Sequence, residues 1–176
     1  MIAECDKQFM AAAILEARSC PVDEVPIGAI VVRDGKILSR ACNLRQTTFD
    51  PTAHAEILAL RQAGELLKRW NLSDCDIYVT LEPCAMCAGA ILNARVGRVV
   101  FGATDSKFGA LISAYNMGTD NKLNHSLKIT SGIMQSECSQ LLTNFFKRLR
   151  QTKVERKVKS GEMGNVAPNG DGCDEL

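Results

Sequence analysis

The sequence is poor in several features that would identify large classes of proteins. It has no apolar run near the roughly 20 residues that a membrane-spanning helix needs, so we expect no membrane partner. The N-terminal stretch MIAECDKQFM lacks the apolar segment of a secretory signal, and we expect none. The formal net charge is only +1, so any basic surface for a nucleic acid must be local. Only two residues are histidine, which leaves two candidates for an imidazole ligand.

The composition is that of a soluble globular protein. The 176 residues favour a single main domain, and 46% hydrophobic with 23% charged residues is ordinary for such a domain. Eight cysteines without a secretory signal indicate a reducing compartment, and we expect the protein in the cytoplasm. In that setting, cysteines are more often metal ligands, nucleophiles or core residues than members of disulfides.

Hydrophobic periodicity predicts an α/β protein. The sequence predicts helices at 2–19, about 53–68, 84–93 and from Ser136, and strands within 25–43 and at 76–81, 97–102 and 127–132. Asp34-Gly35 predicts a tight hairpin turn between the first two of the five strands, since both central residues need a positive φ. Helices between the later strands favour parallel neighbours in a sheet covered on both faces.

The C-terminal end differs from the rest of the chain. From residue 152 onward the sequence is first rich in basic residues and then polar, with almost no apolar content. Such a segment cannot bury enough apolar surface to order itself. We therefore predict a main domain over 1–151 and a disordered tail over 152–176.

Two short motifs carry the chemistry of the predicted site. TAHAE contains His54 and Glu56, and LEPCAMC contains Cys84 and Cys87. A single histidine is usually a packed core residue, and a C-x-x-C pair in a chain with eight cysteines is weak evidence by itself. The coincidence of H-x-E, a proline and C-x-x-C, each at the start of a predicted helix, is far more specific.

The spacing of these residues suggests where the site lies. Cys84 and Cys87 are three residues apart and share one helix face. His54 and Glu56 are about 200° apart on a regular helix, so both can reach one point only if it lies beyond the helix end. We infer a site between two helix N-termini, where positive partial charge lowers the pKa of thiols.

This ligand set is typical of catalytic zinc. One imidazole and two thiolates make three zinc ligands and leave a fourth position for water, whose pKa zinc brings to about 7. Glu56 is then free to act as a proton shuttle. A structural zinc site would need a fourth ligand, and neither His125 nor the other cysteines have partner spacing.

The same residues match the signature of the zinc deaminases, H-x-E…P-C-x-x-C. The match extends to VPIGAIVV, DPTAHAEILALRQ, YVTLEPCAMCAGAI and GRVVFGATDSKFGA. Over about residues 5–150 the chain resembles the bacterial tRNA-specific adenosine deaminases (the TadA family), members of the cytidine deaminase superfamily. This resemblance is much more specific than the zinc motif, which deaminases of free bases and nucleosides share.

The resemblance implies a fold, an activity and an assembly. The fold would be a cytidine deaminase-like, three-layer α/β/α sandwich around a mixed, mostly parallel five-stranded sheet. The protein would be a homodimeric hydrolase that converts adenosine to inosine at the wobble position of a tRNA anticodon. His54, Cys84 and Cys87 would bind one zinc ion per subunit. Glu56 would take a proton from the zinc-bound water, pass it to the ring nitrogen and protonate the departing ammonia.

The resemblance also implies contacts to the substrate. Asn43 would hold the flipped nucleoside, and the Ala55 N–H and the carbonyl region of Glu82 would lie near the base and the leaving group. The side chains that would line the base are Val25, Ile27 and Leu81. Each has a simpler interpretation, as a turn residue for Asn43 and as core for the apolar side chains.

The contacts to the RNA strand are expected from a loop and from the last helix. Asp105 and Lys107 would lie near the strand, and Phe145 or Phe146 would stack near the anticodon stem-loop. Basic residues over 147–159 would supply the local positive charge. Ser126 and Phe108 depart from the family pattern on this side, so the resemblance carries over the chemistry but not the detail of tRNA recognition.

Two other functions fit parts of the pattern. A zinc deaminase acting on a free nucleobase or nucleoside, of the guanine or cytidine type, would share all four catalytic residues. A non-catalytic binding module stabilised by zinc would use the three ligands and leave Glu56 without a role. The substrate separates the first alternative from tRNA deamination, and substitution of Glu56 separates the second.

Overall fold

The described residues form five helices and five strands, which are interspersed along the chain. The computed structural model describes residues 4–118, 123 and 125–159, without the side chains of 154–159. The elements are α1 (Glu4–Ser19), β1 (Gly28–Arg33), β2 (Lys36–Cys42), α2 (Arg45–Thr48), α3 (Ala55–Leu67), β3 (Asp76–Leu81), α4 (Ala85–Asn93), β4 (Arg98–Ala103), β5 (Lys128–Ser131) and α5 (Gln135–Lys159). All predicted elements are present, and α2 is an addition. Among these helices, none is both long and apolar enough to cross a membrane.

The strands form one mixed sheet in the order β2-β1-β3-β4-β5. β1 is antiparallel to both β2 and β3, whereas β3, β4 and β5 pair in parallel. Four of the five strands therefore run in the same direction, and β1 is the exception. This confirms the predicted mixed, mostly parallel sheet. The hairpin places β1 between β2 and β3. Strands β2 and β3 are therefore not neighbours in the sheet, although they follow one another along the chain with α3 between them.

The hairpin turn has the geometry that its sequence predicts. Asp34 has φ 49° and Gly35 has φ 71°, the left-handed values that a two-residue turn requires. Gly35 tolerates this φ because it has no Cβ, and aspartate adopts it more readily than most residues. The turn therefore fixes the register of β1 against β2.

Alternate residues of the strands face two different helical layers. Val31, Val79 and Phe101 belong to a core shared with α3 and α4. Ile30, Tyr78 and Val100 belong to a second core shared with α1 and the start of α5. Because side chains alternate between the faces of a strand, a sheet buried on both sides needs apolar residues at consecutive positions. The result is the expected three-layer α/β/α sandwich.

Helix α5 extends beyond the predicted end of the main domain. The chain divides into two compact units between Thr143 and Asn144, within this helix. Residues 152–159 continue α5, and the disorder predicted for the tail stays a prediction. The sequence has no glycine or proline between Gln135 and Lys159, and lysine, arginine and glutamate are good helix formers. The predicted division at 151/152 stays a prediction, and residues 160–176 lie outside the described residues.

Candidate active site

Two helices start at the same place, and their first residues supply the predicted metal ligands. His54 is the N-cap of α3 with φ −72° and ψ 151°, and Cys84 is the N-cap of α4 with φ −71° and ψ 173°. Neither side chain makes a capping hydrogen bond to its own helix. Cys87 follows in the first turn of α4 and is fully buried. The helix ends therefore bring these ligands together, as their spacing predicts.

The three ligand atoms are spaced as a tetrahedral zinc site requires. The His54 Nδ1 atom lies 3.7 Å from the Cys84 Sγ and 3.6 Å from the Cys87 Sγ. Bond lengths of about 2.3 Å to sulfur and 2.0 Å to nitrogen give tetrahedral N–S separations of about 3.5 Å. His54, Cys84 and Cys87 form the single such cluster found among the described residues. The set of donors therefore fits zinc.

The protons of this cluster are shared unequally. A hydrogen bond from Cys87 is the main reason that the pKa of Cys84 falls to about 4. The pKa of Cys87 is raised, first because of its bond to Cys84 and then because of burial. The pKa of His54 is raised mainly by its hydrogen bond with Cys84. Thiols and a histidine must lose their protons to bind a metal, so metal binding at this cluster would release protons.

Glu56 lies buried beside this cluster. Its side chain is in hydrogen-bonding contact with Cys87, and the residue is only 4% exposed. Burial raises the pKa of this carboxyl, against the opposing effect of the charge on His54. A carboxyl whose pKa moves towards neutrality is suited to accept and return a proton during a reaction.

The second histidine takes no part in the cluster. The Nε2 atom of His125 lies 2.9 Å from the Val96 carbonyl oxygen. This contact is on the connection between α4 and β4, away from the first turns of α3 and α4. The geometry agrees with the prediction that His125 has no partner spacing for a zinc ligand.

Asn43 is held by a carboxylate that the sequence analysis missed. Its Nδ2 donates to the Oε2 of buried Glu24 at 3.0 Å and to the Val25 carbonyl at 3.4 Å. Its backbone N–H donates to the Ile27 carbonyl at 3.0 Å. The other carboxylate oxygen of Glu24 accepts the Thr47 N–H at 2.7 Å. An acidic residue directly before an apolar strand segment was the one signal in the sequence that could have identified Glu24.

Glu82 organises the loop after β4 with its side chain. Its carboxylate accepts backbone N–H groups of Asp105, Leu111, Ile112 and Ser113 at 2.8 to 3.2 Å, and also the Ser113 hydroxyl. Burial disfavours the charged form of Glu82, but these hydrogen bonds outweigh it and lower the pKa. The resemblance pointed to its carbonyl region, and the structure adds a role for its side chain in fixing the loop.

The predicted RNA contacts in this loop lie on a tight local turn. The Asp105 Oδ1 accepts the N–H groups of Lys107 at 2.9 Å and Phe108 at 3.0 Å. The side chains of Lys107 and Phe108 are exposed. The next residue is Gly109, and a Cβ at that position would collide with the Glu82 carboxyl, so the position has no room for a side chain. Asp105 thus shapes the turn, and its contact with RNA stays a prediction.

The apolar residues predicted to line the base lie in different surroundings. Ala55 is fully buried at the first position of α3. Val25 and Ile27 are half-buried, and Ile27 packs against the core shared with α3 and α4. Leu81 packs instead against the core shared with α1. The roles of all four residues in binding the base stay predictions.

The two phenylalanines predicted to stack near the anticodon belong to the second compact unit. Their ring centroids are 5.2 Å apart at an interplanar angle of 78°. Phe145 is buried, Phe146 is half-buried, and the Arg148 guanidinium lies over the Phe145 ring at 5.6 Å. Ser126, one of the departures from the family pattern, is exposed in the first unit. The contacts of these residues with RNA also stay predictions.

Comparisons with known proteins agree with this geometry. The family model of the MafB19-like deaminases matches residues 3–150. A tRNA-specific adenosine deaminase of Haemophilus influenzae is 44% identical over 157 residues, which cover 88% of this chain and 91% of the relative. The corresponding Bacillus subtilis enzyme is 44% identical over 158 residues, which cover 89% and 98%.

A solved structure shows the same similarity in three dimensions. It comes from a study of A-to-I editing by tRNA:A34 deaminases at the wobble position of transfer RNA. It superposes with a TM-score of 0.74 at 44% sequence identity, covering 77% of this chain and 99% of the other. The chain therefore belongs to the MafB19-like deaminases, in the family of the bacterial tRNA-specific adenosine deaminases.

Proposed function

We propose that the protein is a zinc-dependent tRNA deaminase that converts the wobble adenosine of an anticodon to inosine, consuming water and releasing ammonia. The observation that carries the proposal is the buried Glu56 beside the cluster of His54, Cys84 and Cys87. The relatives at 44% identity, which act on tRNA adenosine by name, support this substrate over a free base.

The three ligands hold the metal at the ends of two helices. His54, Cys84 and Cys87 would bind one zinc ion per subunit, with separations that suit tetrahedral coordination. Zinc, when bound, supplies the Lewis acidity that activates water near neutral pH. The fold keeps these side chains in place because Cys87 is fully buried and each helix is anchored in the core.

The protein side of the reaction is a proton relay through one carboxyl group. Glu56 accepts a proton from the attacking water and delivers it to the ring nitrogen of adenine. It then takes the second proton, from the hydroxyl group now bonded to C6, and donates it to the amino group, which leaves as ammonia while the C6–O double bond forms. Its burial keeps bulk water from competing for these protons, and its raised pKa matches the transfer in both directions.

The other side chains would hold the flipped nucleotide. Asn43 would bind the nucleoside, with Val25, Ile27 and the Ala55 N–H around the base. For the flanking RNA, the candidate side chains are Asp105, Lys107, Phe145, Phe146 and the exposed basic residues Lys147, Arg148, Arg150 and Lys153. Basic side chains attract the phosphate backbone, and aromatic rings stack on unpaired bases.

The proposal includes a compartment and an assembly. Reduced cysteine ligands and a tRNA substrate both belong in the cytoplasm. The resemblance implies a homodimer, and light scattering of the purified protein measures whether two copies associate.

The test of the activity is to incubate the purified protein with tRNA and to sequence the product for inosine at the wobble position. Free adenosine, cytidine and guanine are offered in parallel. Inosine in the anticodon with no turnover of the free compounds supports the proposal. Turnover of a free base or nucleoside alone would refute the assignment to tRNA.

A further inference from the structure

The buried carboxylate that binds Asn43 has no part in the chemistry described so far. Glu24 is only 1% exposed and lies in the segment before β1. Its two oxygens accept hydrogen bonds from two different parts of the chain, the Thr47 N–H of α2 and the side-chain amide of Asn43. Burying a carboxylate is costly unless its oxygens are hydrogen-bonded, so this arrangement needs a reason.

The contacts of Glu24 determine which way the Asn43 amide faces. The amide nitrogen can only donate and the amide oxygen can only accept. The Nδ2 of Asn43 meets two groups that can only accept, the Glu24 carboxylate and the Val25 carbonyl. Rotating the amide by 180° would place its oxygen against these two oxygens. The orientation is therefore fixed by chemistry.

The fixed orientation leaves the Asn43 Oδ1 as the side-chain atom that a substrate can use. Within the described residues, no hydrogen bond to this oxygen is present, whereas both hydrogens of the Nδ2 are directed at acceptors. An amide held in this way presents an acceptor. It would bind a donor of the nucleoside, such as a ribose hydroxyl or the exocyclic amine, and would repel a ring nitrogen that can only accept.

We propose that Glu24 is a positioning residue for substrate binding. It locks the amide of Asn43 so that the Oδ1 accepts a hydrogen bond from the target nucleoside. The inference rests on the proposed function, because it assigns Asn43 to the nucleoside. Glu24 touches no reacting atom, and its effect passes entirely through Asn43.

A purely structural role for Glu24 predicts something different. The bond from the Thr47 N–H would then be the important one, and Glu24 would simply hold α2 in place. Loss of Glu24 would disturb the loop whether or not Asn43 were present. The two roles therefore differ in how substitutions at the two positions combine.

The substitution Glu24→Gln separates the roles because glutamine has one oxygen where glutamate has two. If this oxygen keeps the Thr47 N–H, the glutamine NH2 faces Asn43 and favours the reversed amide. The Asn43 Nδ2 would then face the substrate as a donor. We expect kcat/KM for inosine formation in an anticodon stem-loop to fall about tenfold to a hundredfold in Glu24→Gln and in Asn43→Ala.

The double variant carries the decisive kinetic comparison. If Glu24 acts through Asn43, Glu24→Gln in the Asn43→Ala background should cause less than about a twofold further loss. Losses that multiply would overturn the proposal. Zinc content and the thermal midpoint are measured for each variant, and Glu65→Gln, which neutralises an exposed acid on α3, is the matched control.

A measurement without substrate tests the lock directly. In the 15N-labelled protein, the side-chain NH2 signal of Asn43 is assigned by its loss in Asn43→Ala. We expect it to be protected from hydrogen exchange in the wild type and to shift and lose protection in Glu24→Gln. An unchanged signal would refute the lock. If wild-type protein formed no inosine, the proposed function would fail, while this signal would still decide the role of Glu24.

Discussion

Two polar clusters, each associated with a different helical layer, show opposite hydrogen-bonding patterns. The first joins α1 to the sheet through Asp6, Tyr78 and Arg98. The second lies at the first turns of α3 and α4 and contains the candidate metal ligands. Both place ionisable groups at least partly out of water, which costs free energy unless their partners compensate.

The cluster below α1 is closed. The Asp6 carboxylate accepts the Tyr78 hydroxyl at 2.7 Å and the Arg98 guanidinium at 2.8 and 3.1 Å. The same guanidinium also donates to Asp76 at 2.8 and 2.9 Å. Every charge has an opposite partner at hydrogen-bonding distance, and the cluster connects a helix to two strands.

The cluster at α3 and α4 is open. Its contacts join thiols, an imidazole and a buried carboxyl, whose pKa values are shifted in opposite directions. The pKa of Cys84 is lowered first by its hydrogen bond with Cys87 and then by its hydrogen bond with His54. A metal ion held by His54, Cys84 and Cys87 would complete this cluster. The closed cluster therefore stabilises the packing of α1 on the sheet, whereas the open cluster is the candidate functional site.

The largest expected effect on activity comes from substitution of Glu56, the proton carrier of the open cluster. Glu56→Gln keeps the shape and the burial of the side chain but cannot accept a proton. We expect the rate of inosine formation to fall by about 10²- to 10⁴-fold, with zinc content and thermal midpoint close to wild type. Product sequencing and metal analysis measure both quantities. Normal turnover in this variant would refute the mechanism.

The next effect concerns the metal and compares the two histidines. In His54→Ala, zinc content should fall from about one ion per chain to nearly none, because a three-ligand site loses a third of its donors. In His125→Ala it should stay near wild type, since that imidazole contacts the Val96 carbonyl. Equal zinc loss in both variants would contradict the assignment of ligands.

The closed cluster should affect stability rather than activity. Asp6→Asn removes the more buried of the two carboxylates that pair with Arg98, and we expect the free energy of unfolding to fall by about 2–3 kcal/mol. Urea unfolding monitored by circular dichroism measures this change, with Glu65→Gln as an exposed control. Activity per folded molecule and zinc content should not change. A loss of zinc in Asp6→Asn would show that the two clusters are coupled.

The smallest effect is the pH dependence of the same contact. The hydrogen bond from Arg98 is the main reason that the pKa of Asp6 lies below its ordinary value of 3.8. A carboxyl whose pKa is lower in the folded state stabilises the protein above its unfolded pKa, and this contribution is lost as pH falls through the folded value. The stability difference between wild type and Asp6→Asn should therefore shrink between about pH 5 and pH 2. A constant difference would exclude this origin.

Turns and helices with a recognisable local sequence pattern were predictable from the sequence, and those without such a pattern were not. The positive φ of Asp34 and Gly35 follows from the sequence of the hairpin. Helix α2 has four residues and no side-chain cap, so neither periodicity nor a capping signal identified it. The extension of α5 to Lys159 was missed because a charged composition resembles that of a disordered tail.

The sequence by itself determined the candidate metal ligands. Imidazole and thiolate groups favour zinc, and residues two or three positions apart are close together in any fold. It identified His54, Glu56, Cys84 and Cys87, and it predicted that the site lies beyond two helix ends. Only the tertiary structure decided the partners of Glu24 and Glu82. These carboxylates bind backbone N–H groups 23 to 31 residues away. Every residue except proline carries such a group, so no residue type marks the partner, and the fold alone selects it.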